Sequence, residues 1–385
     1  MAALLRALAG GLLILLLVPF SPARAQLFGA AGLDPRFCDQ PSLRQTVVYV
    51  DDMMMVEGRT DWALKLADKL RATLAPGERV TVVRLSPASG QSSELWSGCW
   101  PGYSDAERAR IAQQTYFFSR SPLDRLGDQQ KFFLQGFGGA LTAIYQAAKR
   151  PAGAAGFTAA DAPSKQILRA LASDDGRFAN SRVTIRAVVY SDLAENSDLG
   201  SVFAAALSGP PEYGQRLGSY LRRSVFYAFG VGSDVHGSPG FLETVRAFWG
   251  AALRSMAATV GGIGADLNVP NTLPVKAFSY AATLDFDGQK LDGHLSLLTN
   301  AAGDLVDSWL GISRLSSAAL TGTFRCTGKE DTRCQLDAAT AGGLATKEPS
   351  ETVHLAGPEG AELRGQLGVR GTRAVFDLNA VPAQD

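Results

Sequence analysis

Hydrophobic positions along the 385-residue chain follow two periods, and the change falls near Gly264. Before it, short apolar runs alternate with stretches whose apolar residues recur every three or four positions. Residues 46–50 form the first run, which ends in Asp51, Asp52, Met53, Met54 and Met55. Thr60 then stands as the N-cap of a helix with Ala63, Leu66, Ala67, Leu70 and Leu74 on one face, and Pro76-Gly77 stops it. Residues 79–85 are the next strand, and residues 86–127 read as irregular. From Asp128 a second helix runs to Lys149, with Phe133, Phe137, Leu141, Ile144, Tyr145 and Ala148 at helical spacing. Its Gly136, Gly138 and Gly139 imply either a break or close backbone packing.

A third helix, about residues 164–172, leads into the stretch around which the chain is organised, residues 183–190. Its β-branched and apolar residues suit a strand buried on both faces of a parallel sheet. It ends abruptly in Ser191, Asp192, Glu195, Asn196, Ser197 and Asp198. Residues 224–231 form another buried strand, running into Gly232-Ser233-Asp234. Ser238-Pro239 opens a long helix whose apolar stripe is Phe241, Val245, Phe248, Trp249, Ala252, Met256 and Val260. Strands alternating with helices predict a doubly wound, mainly parallel Rossmann-like sheet with right-handed crossovers.

Past residue 270 the period becomes two. Phe278, Tyr280, Ala282, Leu284 and Phe286 alternate with polar residues, and the pattern recurs at Leu320–Cys326, Leu363–Val369 and Phe376–Ala380. Turns such as Asp287-Gly288 and Pro358-Glu-Gly360 join them, so an antiparallel all-β domain is expected, a barrel or a sandwich. The expected organisation is a leader at 1–25, a lead-in at 26–42, an α/β domain at 43–264 and the β domain at 270–385.

The leader changes the picture most. Arg6, the apolar run 12–18 and the A-x-A site Ala23-Arg24-Ala25 form a cleavable export signal, too short to span a bilayer. Its loss removes Arg6 and Arg24, leaving 37 − 2 = 35 basic against 37 acidic residues, a net charge of −2. That charge offers no footprint for nucleic acid, and no membrane span is expected in the mature, periplasmic or secreted chain. Four cysteines allow three pairings, and proximity favours Cys38 with Cys99 and Cys326 with Cys334. No close C-x-x-C pair suggests zinc, and structural disulfides fit an oxidising compartment.

Familiar catalytic patterns are missing from the sequence. Gly230-Val-Gly232 lacks the third glycine of a dinucleotide fingerprint. His236, His294 and His354 are scattered, and Ser191 lies outside any G-x-S-x-G elbow. In open α/β sheets ligands bind beyond the carboxyl ends of the strands. The candidate binding residues are therefore Asp51, Asp52, Met53 and Met55 at one strand end and Asp192, Asn196 and Ser197 at another.

A first strand ending in Asp51, a later one in Ser191-Asp192 and a third running into Gly-Val-Gly together resemble a von Willebrand factor type A domain over residues 43–262. The helix carrying Phe248-Trp249 fits as well. The resemblance implies a divalent cation such as Mg²⁺, held by a D-x-S-x-S loop, a Thr from a second loop and an Asp from a third. Here Asp51 matches the first acid, but both Ser positions carry Met, a poor ligand for a hard cation. The second loop is expected near residues 135–139, which contain neither Thr nor Ser, and Asp192 matches the third-loop acid. The expectation is a degenerate site with no bound cofactor, in which Asp51 and Asp192 cap loop amides.

Three functions follow. The first is a non-catalytic protein that holds a protein partner through these loops. The second is a metal-dependent hydrolase of phosphate or ester bonds using Asp51, Asp52 and Asp192, three carboxylates that need a cation or base among them. The third places the activity in the β domain of an envelope-assembly or stress factor.

Overall fold

The computed structural model describes residues 32–116, 120–152, 156–204, 212–236, 240–328, 332–341 and 351–383. The expected leader and the helix opening at Ser238-Pro239 lie outside these residues.

In chain order the first half reads β1 (Arg44–Asp51), α1 (Asp61–Thr73), β2 (Arg79–Ser86), β3 (Gln91–Cys99), α2 (Asp105–Ala112) and α3 (Pro122–Ala148). It continues with α4 (Ile167–Ala172), α5 (Asp175–Ala179), β4 (Thr184–Tyr190), β5 (Asn196–Ser197) and β6 (Gly200–Ser201). Then come α6 (Tyr213–Leu217), β7 (Ser224–Phe229), α7 (Phe241–Ser255) and β8 (Thr259–Ile263). The main sheet has the order β3-β2-β1-β4-β7-β8, parallel except for β3. This is a doubly wound order, and it reverses between β1 and β4.

Alternation along β1 explains why the sheet is covered twice. Val48 and Val50 face α1 and α3, meeting Leu66, Leu70, Phe133 and Phe137. Val47 and Tyr49 face the other way, in a core with Leu168 and Leu171 of α4 and Phe248 and Trp249 of α7. Each face of a central strand is thus buried, and the strand reads as a nearly continuous apolar run.

Several elements depart from the expected boundaries. The stretch 86–127 contains β3, paired antiparallel to β2, and α2, opened by a Ser104/Glu107 capping box. Polar residues on the open face of an edge strand obscure its period. Helix α3 starts earlier than Asp128, at Pro122 behind a Ser121/Asp124 capping box, and runs unbroken through its glycines. Close packing explains Gly136, where a Cβ would lie 2.5 Å from the Trp96 indole nitrogen. Thr60 occupies the N-cap of α1, but its hydroxyl makes no capping bond. Helix α7 ends at Ser255, so Val260 belongs to β8 rather than to its stripe. Ala257, at φ +58°, turns the chain into that strand.

The second half is β9 (Lys276–Phe286), β10 (Gln289–Thr299), β11 (Ser308–Ile312), β12 (Ser316–Thr327), β13 (Arg333–Ala341), β14 (Glu351–Pro358), β15 (Leu363–Val369) and β16 (Val375–Pro382). Antiparallel pairing closes them into a barrel, which resolves the choice between barrel and sandwich. Leu284, Leu295, Leu310, Leu336, Leu355 and Leu378 fill its interior. Asp287 (φ +50°) and Gly288 (φ +78°) form the tight turn between β9 and β10, as a two-residue hairpin with both central φ angles positive requires. Both disulfides form as proximity suggested, Cys38–Cys99 and Cys326–Cys334. The second joins residues directly opposed on β12 and β13.

The barrel meets the sheet at the amino ends of the strands. Arg44, the first residue of β1, is wholly buried and bonds Glu78 at 2.9 Å and Asp307 of the barrel. Arg186 of β4 reaches the same Glu78 at 3.2 Å, and Tyr227 of β7 donates to Asp307 at 2.6 Å. Burial, and then the charge of Arg44, lower the pKa of Arg186 to about 10. Trp309 of β11 donates to Thr184 at 3.1 Å, and Thr184 shares a 2.8 Å bond with Ser296 of β10. The carboxyl ends of the strands lie at the opposite edge.

Candidate functional site at the carboxyl edge of the sheet

Val50 of β1 pairs with Tyr190 of β4, so Asp51 and Ser191-Asp192 emerge side by side where the strand order reverses. That crevice is where doubly wound folds bind ligands. Here a side chain of the chain itself fills it. The Lys165 ammonium lies 2.7 Å from Asp192 Oδ2 and 3.5 Å from Asp51 Oδ2, and all three residues are buried.

The remaining oxygens are also satisfied. Asp51 Oδ1 accepts the Met53 amide at 2.9 Å, and its Oδ2 accepts the Ser191 hydroxyl at 2.8 Å. Asp192 Oδ1 accepts the Ala194 amide at 3.0 Å. The two acids therefore cap their loops, as expected, and also bind an internal cation. Leu193, at φ +54°, makes the sharp turn after Asp192, and Trp249 of α7 holds its carbonyl at 2.8 Å. Asn196 exchanges two 3.0 Å backbone bonds with Lys165 and thereby fixes the lysine's origin.

Burial pushes the Asp51 carboxyl up to about 6, with Lys165 opposing the rise and Asp192 adding to it. Burial opposes the charge on Lys165, but Asp51 and Asp192 outweigh it and hold its pKa above the ordinary value. Glu195 is buried too, which raises it to about 7 despite bonds from Ser197 Oγ at 2.6 Å and the Leu168 amide at 2.9 Å.

A second ionic layer lies nearer solvent. Asp234, beyond β7, accepts Arg59 at 2.6 Å and Arg150 at 3.1 Å. Arg150 also donates to the Met53 carbonyl at 2.5 Å. The loops after β1, α3 and β7 are thus tied across the edge.

The predicted residues separate into distinct places. Asp52 takes no part in the Asp51–Asp192 cluster. It points to β2 and accepts Arg84 and Ser86, each at 2.8 Å. Residues 52–54 form a 3₁₀ turn, in which neighbouring side chains diverge by about 120°. Met54 and Met55 are buried in the core, whereas Met53 is half-buried. Asn196 and Ser197 are half-buried on β5. The segment expected to supply a second metal loop, residues 135–139, lies inside α3. Lys165, Asp234, Arg59 and Arg150 went unread. Lysine is rarely buried unless paired, and no local pattern marks Lys165 as an exception. Asp234 carried a signal, because it follows a strand end just as Asp51 and Asp192 do.

No protein-family profile matches this chain, and no curated protein does. A solved structure is similar. The crystal structure of the ArnB paralog VWA2 from Sulfolobus acidocaldarius aligns over 83% of this chain at 9% identity, with a TM-score of 0.31. The chain spans 65% of the length of that protein.

The implied divalent cation does not fit these residues. Both serine positions of the first loop are methionines, one of them in the core, and an ammonium already bonds Asp192. Among the described residues no group of three His, Cys, Asp or Glu side chains is arranged to hold a metal. None of their helices is long and apolar enough to cross a membrane.

Proposed function

We propose that this chain is an exported, non-catalytic binding or scaffold protein, periplasmic or secreted, that holds a protein partner at the carboxyl edge of its sheet without a divalent cation. The carrying observation is Lys165, whose ammonium occupies the crevice between Asp51 and Asp192. A fixed internal charge removes the need for an exchangeable one and keeps the loops in one arrangement. The exposed rim above it, residues 57–60 with Asp198, is polar and open, while the barrel contacts described above lie at the other end of the strands. Export is supported by Arg6, the apolar run 12–18 and the A-x-A site, together with two disulfides. The division into units at 43–264 and 270–385 belongs to the same proposal. The hydrolase reading loses support because Asp52 is engaged by Arg84 and Ser86.

The test is thermal unfolding of residues 26–385 with millimolar Mg²⁺, Ca²⁺ or Mn²⁺ and with chelator. Equal melting temperatures are expected, since a ligand of the folded state would raise them. A rise of several degrees that Asp192→Ala abolishes would sink the cation-independent reading. A photo-crosslinking residue placed at Gly58 or at Asp198 should then capture the same partner, and one at Val375 on the barrel should not. Equal capture from Val375 would remove the carboxyl edge as the contact.

A further inference from the structure

A cavity of about 290 Å³ opens between α7, β8 and β12. It is walled by Arg246, Gly250 and Arg254 of α7, by Gly261 and Ile263 of β8, and by Ser317 of β12. The three α7 residues are spaced by four and share one helix face. β8 is the last strand of the sheet, bonded to β7 alone, with a register shift in that pairing. Its other edge pairs with no strand. The site therefore lies between the two halves of the fold, where Thr259 and Ser317 share a 2.6 Å hydroxyl bond.

Among the described residues no carboxylate compensates the charge of this groove. Arg254 is half-buried, and among the described residues its guanidinium has neither a hydrogen bond nor a carboxylate partner. Burial alone shifts its pKa, downward. Its head folds back over Gly250, where a Cβ would stand 3.4 Å from Arg254 Nη1. Arg246 spends its Nε on the Ile263 carbonyl at 2.9 Å and forms no ion pair among the described residues. Elsewhere in the molecule the buried arginines, Arg44 and Arg186, are matched by Glu78 and Asp307. Two guanidiniums facing one small cavity whose described lining holds no carboxylate suit an oxyanion, because the guanidinium fork matches phosphate and carboxylate oxygens.

We propose that this groove binds a small phosphate-bearing ligand, its phosphoryl dianion held between Arg246 and Arg254 against the open edge of β8. A dianion balances two guanidiniums, whereas a single carboxylate leaves one charge over. The volume lies at the low end for ligand sites, roughly 300–1,000 Å³, and suits a phosphorylated small molecule or free phosphate rather than a dinucleotide. Bound there, the ligand bridges α7 and β8 to β12 and so ties the sheet to the barrel. This inference is independent of the carboxyl-edge reading.

The experiment is titration calorimetry of residues 26–385 with inorganic phosphate, repeated with a small phosphate monoester and with acetate at matched ionic strength. Saturable binding of phosphate is expected, with a parallel rise in melting temperature and no binding of acetate. Tighter binding of the monoester identifies an organic ligand, and equal binding identifies free phosphate. Arg254→Met should weaken binding at least tenfold and Arg254→Lys less. Arg325→Met, on the barrel surface, should leave it unchanged. Melting of each variant without phosphate confirms that it folds. No saturable binding, equal binding of acetate, or undiminished binding by folded Arg254→Met overturns the site.

Discussion

Lys165 Nζ and Asp192 Oδ2 stand 2.7 Å apart in a crevice sealed from solvent, at the one point where the strand order of the sheet reverses. The pair answers the electrostatic problem set by acids at adjacent strand ends. Removing one partner of a buried ion pair leaves an uncompensated charge and costs about 3–5 kcal/mol. Lys165→Met should lose stability on that scale, measured by urea unfolding. Adding Asp192→Asn should restore part of it, since the stranded charge is then gone. Additive losses in the double variant would show that the two residues are not coupled.

Glu195 predicts a pH dependence. Its folded carboxyl titrates near about 7 against an ordinary 4.5, so the folded state binds the proton more tightly. The associated stability is fully present below about 4.5 and is lost as pH rises through about 7. Burial raises Asp51 in the same direction, from 3.8 to about 6. For Glu195 the difference amounts to at most roughly 3 kcal/mol, at 1.36 kcal/mol per pH unit. Glu195→Gln keeps an acceptor for the Leu168 amide and removes the titration. Its melting temperature should vary less between pH 4.5 and 8, and at pH 8 it should exceed that of the parent. An unchanged profile would remove Glu195 as the source.

The two disulfides should differ in weight because they close loops of different length. Cys38–Cys99 spans 61 residues and Cys326–Cys334 only 8. Loop-closure entropy then assigns about 4 kcal/mol to the first and about 2.5 kcal/mol to the second. Replacing each pair by serines and comparing denaturation midpoints checks the order, and a larger loss for the 326/334 pair would contradict it.

These features differ in how far they could be read from residues alone. β1 and β4 were legible because two-sided burial leaves an apolar run, and Asp51 and Asp192 because they end those runs. β3 was not, since it is an edge strand whose first half, Ser92, Ser93 and Glu94, is polar on both faces. In the barrel, β13 turns Cys334, Ala338 and Thr340 inward beside Leu336, and small or polar residues that fit a narrow interior carry little period-two signal. Lys165 was invisible for a deeper reason. What makes it a site residue is the company of Asp51 and Asp192, which are 114 and 27 positions away and meet it only through tertiary structure. Contacts between distant residues have no local pattern to announce them.

Asp307 offers the sharpest test of how the two halves are joined. It sits at φ +48° in the barrel and holds Arg44 and Tyr227 of the sheet through its two oxygens. Asparagine tolerates a left-handed backbone, so Asp307→Asn keeps the turn and removes only the charge. Arg44 and Arg186 are then left with Glu78 as their sole carboxylate in this network, two buried cations against one anion. The loss should approach the 3–5 kcal/mol range for a broken buried pair. If the junction couples the halves, Trp309, which packs into the sheet-side core, should report unfolding at the same urea concentration as far-ultraviolet circular dichroism in the parent. In Asp307→Asn the Trp309 transition should come first, as the barrel detaches before the sheet unfolds. Coincident transitions in the variant would mean that the apolar contacts around Trp309, and not the Arg44–Asp307 pair, hold the barrel in place.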